Sequence, residues 1–159
     1  MRTSLIPVLA LVLLPGLAVA QDAESDVSSV LDQLHLKASE GDFEGYFSLY
    51  AENAVFFGTD ASERWPLEIF KDYTRGRFAE GTAWTYHMLE RNIDFSPSGE
   101  VAWFDELLTN DRLGLTRGTG VLVRQDDGWL ITQYHLTIPV PNELAVPFVE
   151  IIKVHEASQ

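Results

Sequence analysis

The sequence predicts an α+β domain in which helices pack on one face of an antiparallel sheet. Three observations carry this. Helical spacing of apolar residues is confined to the stretch between residues 27 and 80. Four long β-prone runs fill the stretch from residue 83 to 138. The runs are joined by short turn-rich links, which imply consecutive hairpins. Helices first and a meander afterwards leave the helices to cover one sheet face.

After a polar lead-in over residues 21–26, Val27, Val30, Leu31, Leu34 and Ala38 recur at helical spacing, and the helix stops near Gly41. His35 reads as a helix-face residue. Asp42 can cap a second, short helix whose stripe of Phe43, Tyr46, Phe47 and Tyr50 reads as core. Residues 54–58 are β-prone and 59–62 form a loop. Pro66 suits the first turn of a third helix that runs to about Glu80, with Gly81 just beyond its end. Strands follow over 83–95, 100–109, 113–124 and 129–138. Pro139, Pro141 and Pro147 argue against a regular helix afterwards. Phe148, Val149, Ile151, Ile152 and Val154 are too apolar for a free tail, so residues 141–159 read as a docking segment.

The chain starts with a targeting pattern. Arg2 precedes an apolar run from Leu5 to Leu14, Pro15-Gly16 ends any helix, and Ala18-Val19-Ala20 is a small-x-small cleavage signal. A membrane span needs about 20 apolar residues, and this run is shorter. The expectation is a signal peptide over 1–20, removed on export to a secreted or periplasmic location, and a domain over 21–140. The 159-residue chain has no cysteine, which removes thiol nucleophiles, redox pairs and zinc-thiolate sites. Its formal charge of −13 argues against nucleic acid and anionic membrane surfaces as partners. His35, His87, His135 and His155 show no metal-ligand spacing. There is no Gly-x-Ser-x-Gly elbow and no phosphate-cradling loop. Neither a metal nor another cofactor is called for.

If the links at 96–99, 111–112 and 125–128 are tight turns, Glu90, Asp105, Gly118 and His135 fall in one cross-strand row. Tyr86, Trp103, Trp129 and Ile131 share their face. Glycines beside large aromatics and a few polar groups fit a small-molecule pocket. His135 with Asp105 or Glu90 then forms a candidate acid–base pair, the plain alternative being a buried histidine held by a carboxylate. Glu106 reads as a cross-strand partner of Arg117 on the other sheet side. Asp60, Arg64 and Trp65 would rim the mouth. The opposite face would carry Leu89, Ile93, Phe104, Leu108, Leu115, Val121, Val123, Leu130 and Leu136, an apolar surface suited to a homodimer.

Two stretches sharpen the element order into a resemblance: Phe57-Gly58-Thr59-Asp60 followed by Arg64-Trp65, and Gly128-Trp129-Leu130-Ile131-Thr132-Gln133-Tyr134-His135-Leu136-Thr137. Over about residues 26–140 the chain resembles SnoaL-like members of the nuclear transport factor two-like superfamily. The resemblance implies a cone-shaped barrel of curved antiparallel sheet packed with three N-terminal helices. Relatives often place serine where this chain has Thr137. The first strand lacks the carboxylate that ketosteroid isomerases use there as a base. The superfamily includes isomerases, cyclases, dehydratases, carriers and oligomerisation modules, so fold does not choose among them. Three functions stay open: binding of a small, partly apolar molecule, cofactor-independent acid–base catalysis, and protein interaction through the sheet.

Overall fold

The computed structural model describes residues 15–126 and 128–158. The first fourteen residues of the expected leader lie outside the described part. Pro15 and Gly16, expected to end a helix, lie instead within the described part of α1 (Pro15–Glu40), which runs through the Ala18-Val19-Ala20 motif and the supposed polar lead-in.

Val27, Leu31, Leu34 and Ala38 are fully or almost fully buried along one face of α1. Each larger apolar side chain contributes about 1.5–3 kcal/mol by leaving water. Gly41 ends the helix in the left-handed region, with φ at 68°. A Cβ there would also come within 2.7 Å of the Gly81 backbone, so this corner requires glycine twice over. Asp42 caps α2 (Phe43–Phe47) as the sequence predicts, its carboxylate accepting from the Gly45 amide at 2.9 Å.

Tyr50, placed by spacing at the end of the aromatic helix, instead begins β1 (Tyr50–Phe57). A short strand that the sequence reading did not find, β2 (Arg64–Pro66), leads directly into α3 (Leu67–Ala79). The meander follows as β3 (His87–Phe95), β4 (Val101–Asn110), β5 (Gly114–Gln125) and β6 (Gly128–Thr137). The sheet order is β2-β1-β6-β5-β4-β3. All neighbours are antiparallel except β1 and β6, which run parallel. The sheet is therefore mixed and curved, and it stays open, with β2 and β3 as its edges.

Single-residue alternation on β4 buries Ala102, Phe104, Glu106 and Leu108 and exposes Trp103 and Asp105. The helices cover the first set, so Phe104, Leu108, Ile93 and Leu136 face the core rather than the outer surface expected for them. Two shifts change which strand faces lie together. The β4–β5 turn holds three residues, because Asn110 pairs with Gly114. In β6, Val121 pairs with Gln133 while Leu122 pairs with Ile131, so Thr132 bulges. Each odd shift reverses which faces fall together on its two sides, so β5 and the start of β6 keep their expected faces while β3, β4 and the end of β6 do not.

The prolines do not prevent a last helix, α4 (Asn142–Glu156). Pro139 and Pro141 precede it, Pro141 as its N-cap, so only Pro147 gives up a helical hydrogen bond. None of the described α4 residues is buried. No described helix is long and apolar enough to cross a membrane.

Candidate functional site

Between α1, α3 and the inner sheet face lies a cavity of about 380 Å³, within the range of small-molecule sites. Its walls are largely aromatic. Phe56 on β1 lies face to face with Phe70 on α3, with ring centres 3.9 Å apart and planes 13° apart. Trp65 lies within 13° of Phe56 and Tyr134 within 5°. This common orientation gives one side of the cavity the character of a flat stacking wall. Tyr46, Trp84 and Tyr86 complete much of the remainder.

A buried polar cluster interrupts this apolar lining. His35, from the covered face of α1, places Nε2 at 2.8 Å from Glu106 Oε1. The Tyr134 hydroxyl donates to the same oxygen at 3.1 Å. Arg91 on β3 donates through Nε to Glu106 Oε2 at 2.9 Å, and its Nη2 is equally close. Arg91 in turn donates through Nη1 to Ser28 and Asp32 on α1. Glu106 is completely buried and the Arg91 side chain is 4% exposed. Burial pushes the Glu106 carboxyl up, but His35 and Arg91 outweigh it and hold the group below its ordinary value. Burial raises the Tyr134 phenol far above its usual range, with the Glu106 charge adding to the effect, so this hydroxyl stays a donor.

His35 and Tyr134 line the cavity while Glu106 stands behind them. A carboxylate that accepts from Nε2 fixes the imidazole tautomer and leaves the lone pair on Nδ1. Among the described residues, no hydrogen bond occupies Nδ1. The arrangement can orient a histidine and offer a phenol beside it. Among the described residues, no cluster of three or more His, Asp or Glu groups could hold a metal ion.

The model of the SnoaL-like domain matches residues 27–141. The chain belongs to the SnoaL-like domain family. No curated protein matches it significantly. Among solved structures, this SnoaL-like domain is similar to an NTF2-like protein of unknown function from Pseudomonas putida KT2440. The identity is 17%, with 77% of this chain and 91% of that chain covered at a TM-score of 0.65. It is also similar to a candidate scytalone dehydratase from Novosphingobium aromaticivorans DSM 12444, at 13% identity. There 78% of this chain and 89% of that chain are covered, with a TM-score of 0.66. A cystatin-like fold protein of unknown function from Nostoc punctiforme PCC 73102 shares 10% identity, with 73% and 90% covered and a TM-score of 0.61. At such identities the likeness shows the fold.

The SnoaL-like domain brings only two of the sequence-predicted site residues, Trp65 and Tyr86, to the cavity wall. His135 and Asp105 do share a row, but through Thr119 rather than Gly118, and on the uncovered sheet face. Two strand spacings, about 10 Å, separate their backbones, so they form no acid–base pair. His135 packs against Phe57 with ring centres 5.5 Å apart, and Asp105 is exposed and accepts from Asn92 at 3.3 Å. Glu90 falls out of the row, because Asn92 is the β3 partner of Asp105, and it too is exposed. Trp103 is 45% exposed on the same outer face. Trp129 is buried in the core against Phe95, away from the cavity. Asp60 closes its own turn by accepting from the Ser62 amide and hydroxyl, which hold its carboxyl below the ordinary value. Arg64 lies over the Phe57 ring at 5.6 Å. Neither Asp60 nor Arg64 reaches the wall, although Thr59 and Glu63 from the same loop do.

Glu106 does not pair with Arg117, whose β4 partner is Leu107. The signal for its true place was a charge in a period-2 apolar run, Ala102, Phe104, Glu106 and Leu108. His35 carried a similar signal, four residues after Leu31 and beside Leu34 on a buried stripe. Gly118 does mark a close approach, but of protein rather than ligand. A Cβ there would overlap the Tyr134 hydroxyl and come within 3.0 Å of Glu106 Oε1. Gly118→Ala should therefore cost about 1–3 kcal/mol by overpacking. Urea denaturation checks this; a loss under about 0.5 kcal/mol, the usual range for a neutral surface change, would mean that the cluster yields freely.

Proposed function

We propose that this domain binds a flat, partly apolar small molecule in its aromatic cavity and moves a proton on it without a cofactor, as an isomerase or dehydratase does. The observation that carries the reading is the His35–Glu106–Tyr134 cluster at the cavity wall. Aromatic side chains with parallel planes suit a conjugated ligand, and an oriented imidazole suits removal of a proton next to a carbonyl. The candidate dehydratase of the same fold is compatible with such chemistry. Plain binding would use the same walls but would give the buried carboxylate no chemical task. The test uses 2-tetralone, a flat bicyclic ketone with exchangeable protons beside its carbonyl. Proton NMR in heavy water should show exchange faster than in buffer matched for free imidazole. Binding without acceleration would leave the domain a carrier, and no binding would remove the reading.

We further propose that the domain is exported and works as a homodimer. Support for export is the charge, apolar run and Ala18-Val19-Ala20 pattern of the leader. Mass spectrometry of the periplasmic or secreted fraction is expected to find residues 21–159; a membrane-retained full-length chain argues the opposite. Support for assembly is unpartnered apolar surface. Val146 and Val154 on α4 are each 72% exposed, and Trp103 and Leu115 are exposed on the outer sheet face. A second copy can cover such surfaces, whereas the net charge of −13 disfavours an anionic bilayer. Light scattering at micromolar concentration should give twice the chain mass, and Phe148→Glu with Ile152→Glu should lower it. A strictly monomeric wild type would refute the dimer.

A further inference from the structure

The charges at the cavity mouth narrow the ligand class. Arg77, in the last turn of α3, and Arg112, in the β4–β5 turn, both line the cavity, and both are exposed, which puts them on its solvent side. The second is held in place by Asn110. Its Oδ1 accepts from the Arg112 and Leu113 amides at 3.0 Å, and its Nδ2 donates to the Thr85 carbonyl at 2.8 Å. This ties the turn to the segment that carries Tyr86. Burial pushes the Tyr86 phenol up, while Arg112 and Arg77 pull the other way, so both cations act on the same hydroxyl at the wall.

Neither arginine belongs to an ion pair among the described residues, in a chain with 24 acidic and 11 basic side chains. Arg77 has one neighbour of note, the Tyr73 ring, 6.0 Å from its guanidinium. Glu63 is the one carboxylate on the wall among the described residues. Its Oε2 accepts from the Asp60 amide at 3.2 Å within its own loop. The opening thus carries a net positive charge on a molecule that is strongly negative elsewhere. Guanidinium groups bind carboxylates through paired N–H donors, and a cationic mouth on an acidic protein attracts anions locally.

We infer that the ligand is an aromatic or conjugated anion, its flat part in the cavity and its carboxylate-like group between Arg77 and Arg112. The inference rests on the reading of the cavity as a site for flat molecules and adds the charged end. His35 then lies deeper than the anion, so the proton that moves belongs to the buried part of the ligand.

The test compares 2-naphthoate with 2-naphthamide, which has nearly the same shape and no charge, by calorimetric titration in about 50 mM salt. The wild type should bind the naphthoate at least about tenfold more tightly. The preference should shrink in about 500 mM salt, where screening shortens the reach of both guanidinium groups. It should fall below about twofold in the Arg77→Gln/Arg112→Gln double variant, with naphthamide binding unchanged. Both arginines are exposed, so the variant should melt at the wild-type temperature. Equal binding of the two probes by the wild type overturns the anionic class and leaves the flat-molecule reading intact. A preference that survives the double substitution overturns the role of the two arginines. Binding of neither probe overturns the flat-molecule reading and this inference together.

Discussion

Glu106→Gln should unfold far more easily than the wild type, by about 3–5 kcal/mol at neutral pH. The carboxylate is completely buried between a histidine, a tyrosine and an arginine whose side chain is itself 4% exposed. Glutamine keeps the shape but removes the charge, so Arg91 is left beside a neutral amide in a buried site. Asp32 and Ser28 still accept from Nη1; Nε and Nη2 lose their anionic partner. Asp32 cannot compensate from its place, 61% exposed, where its pairing is screened. The same cluster sets an acid limit. The folded Glu106 holds its proton less tightly than the ordinary value of 4.5. Its contribution is therefore complete above that pH and is lost as the pH falls through the lower folded value. Urea denaturation from neutral pH down to about pH 3 should show a steeper loss for the wild type than for Glu106→Gln. Parallel pH profiles, or a cost below about 1 kcal/mol, would mean that Arg91 finds another partner and the cluster is not what anchors α1 to the sheet.

How much of this was legible depends on what each residue's neighbours in sequence say about its neighbours in space. The helices, the four meander strands and the Asp42 cap follow from local periodicity and turn chemistry, and the resemblance to the family rests on their order together with the 57–65 and 128–137 stretches. The faces of the sheet did not follow. One extra residue in the Asp111–Leu113 turn sets β3 and β4 on faces opposite to those expected relative to β5, and one bulged residue at Thr132 does the same to the end of β6. Asp111-Arg112 alone reads as a two-residue turn, whereas Gly114, with φ at 69°, closes a three-residue form. The site was misplaced as a consequence. His135 sits on a motif-like strand, yet the histidine that meets a carboxylate is His35, seventy-one residues before Glu106. Its apolar stripe said that it was buried. Nothing local could say which strand lay opposite, because that contact spans the helix–sheet interface. Three prolines between 139 and 147 read together as helix-breaking, whereas two of them lie before α4 and only Pro147 lies inside it.

His35→Gln should leave the fold in place and reduce proton exchange from 2-tetralone by about 10²–10⁴-fold, the usual worth of a positioned base. Glutamine is chosen because its amide nitrogen reaches nearly as far as imidazole Nε2 and can donate to Glu106 Oε1. The buried carboxylate then keeps three kinds of donor, from the new side-chain amide in place of the imidazole, from Tyr134 and from Arg91, so the loss of stability should stay near about 1 kcal/mol. What glutamine lacks is the basic lone pair at Nδ1, which the tautomer selected by Glu106 leaves available to the ligand. Nitrogen-15 NMR of the wild-type imidazole should accordingly find the proton on Nε2. Tyr134→Phe provides the contrast. It removes one donor from Glu106 Oε1 and should lower exchange less than the His35 change, since the base itself remains. His135→Gln should leave exchange at the wild-type rate, because that residue lies on the other face of the sheet. Equal losses at His35 and His135 would mean that tetralone reacts at neither, and a His35→Gln variant that exchanges at full rate while folded would exclude His35 as the base.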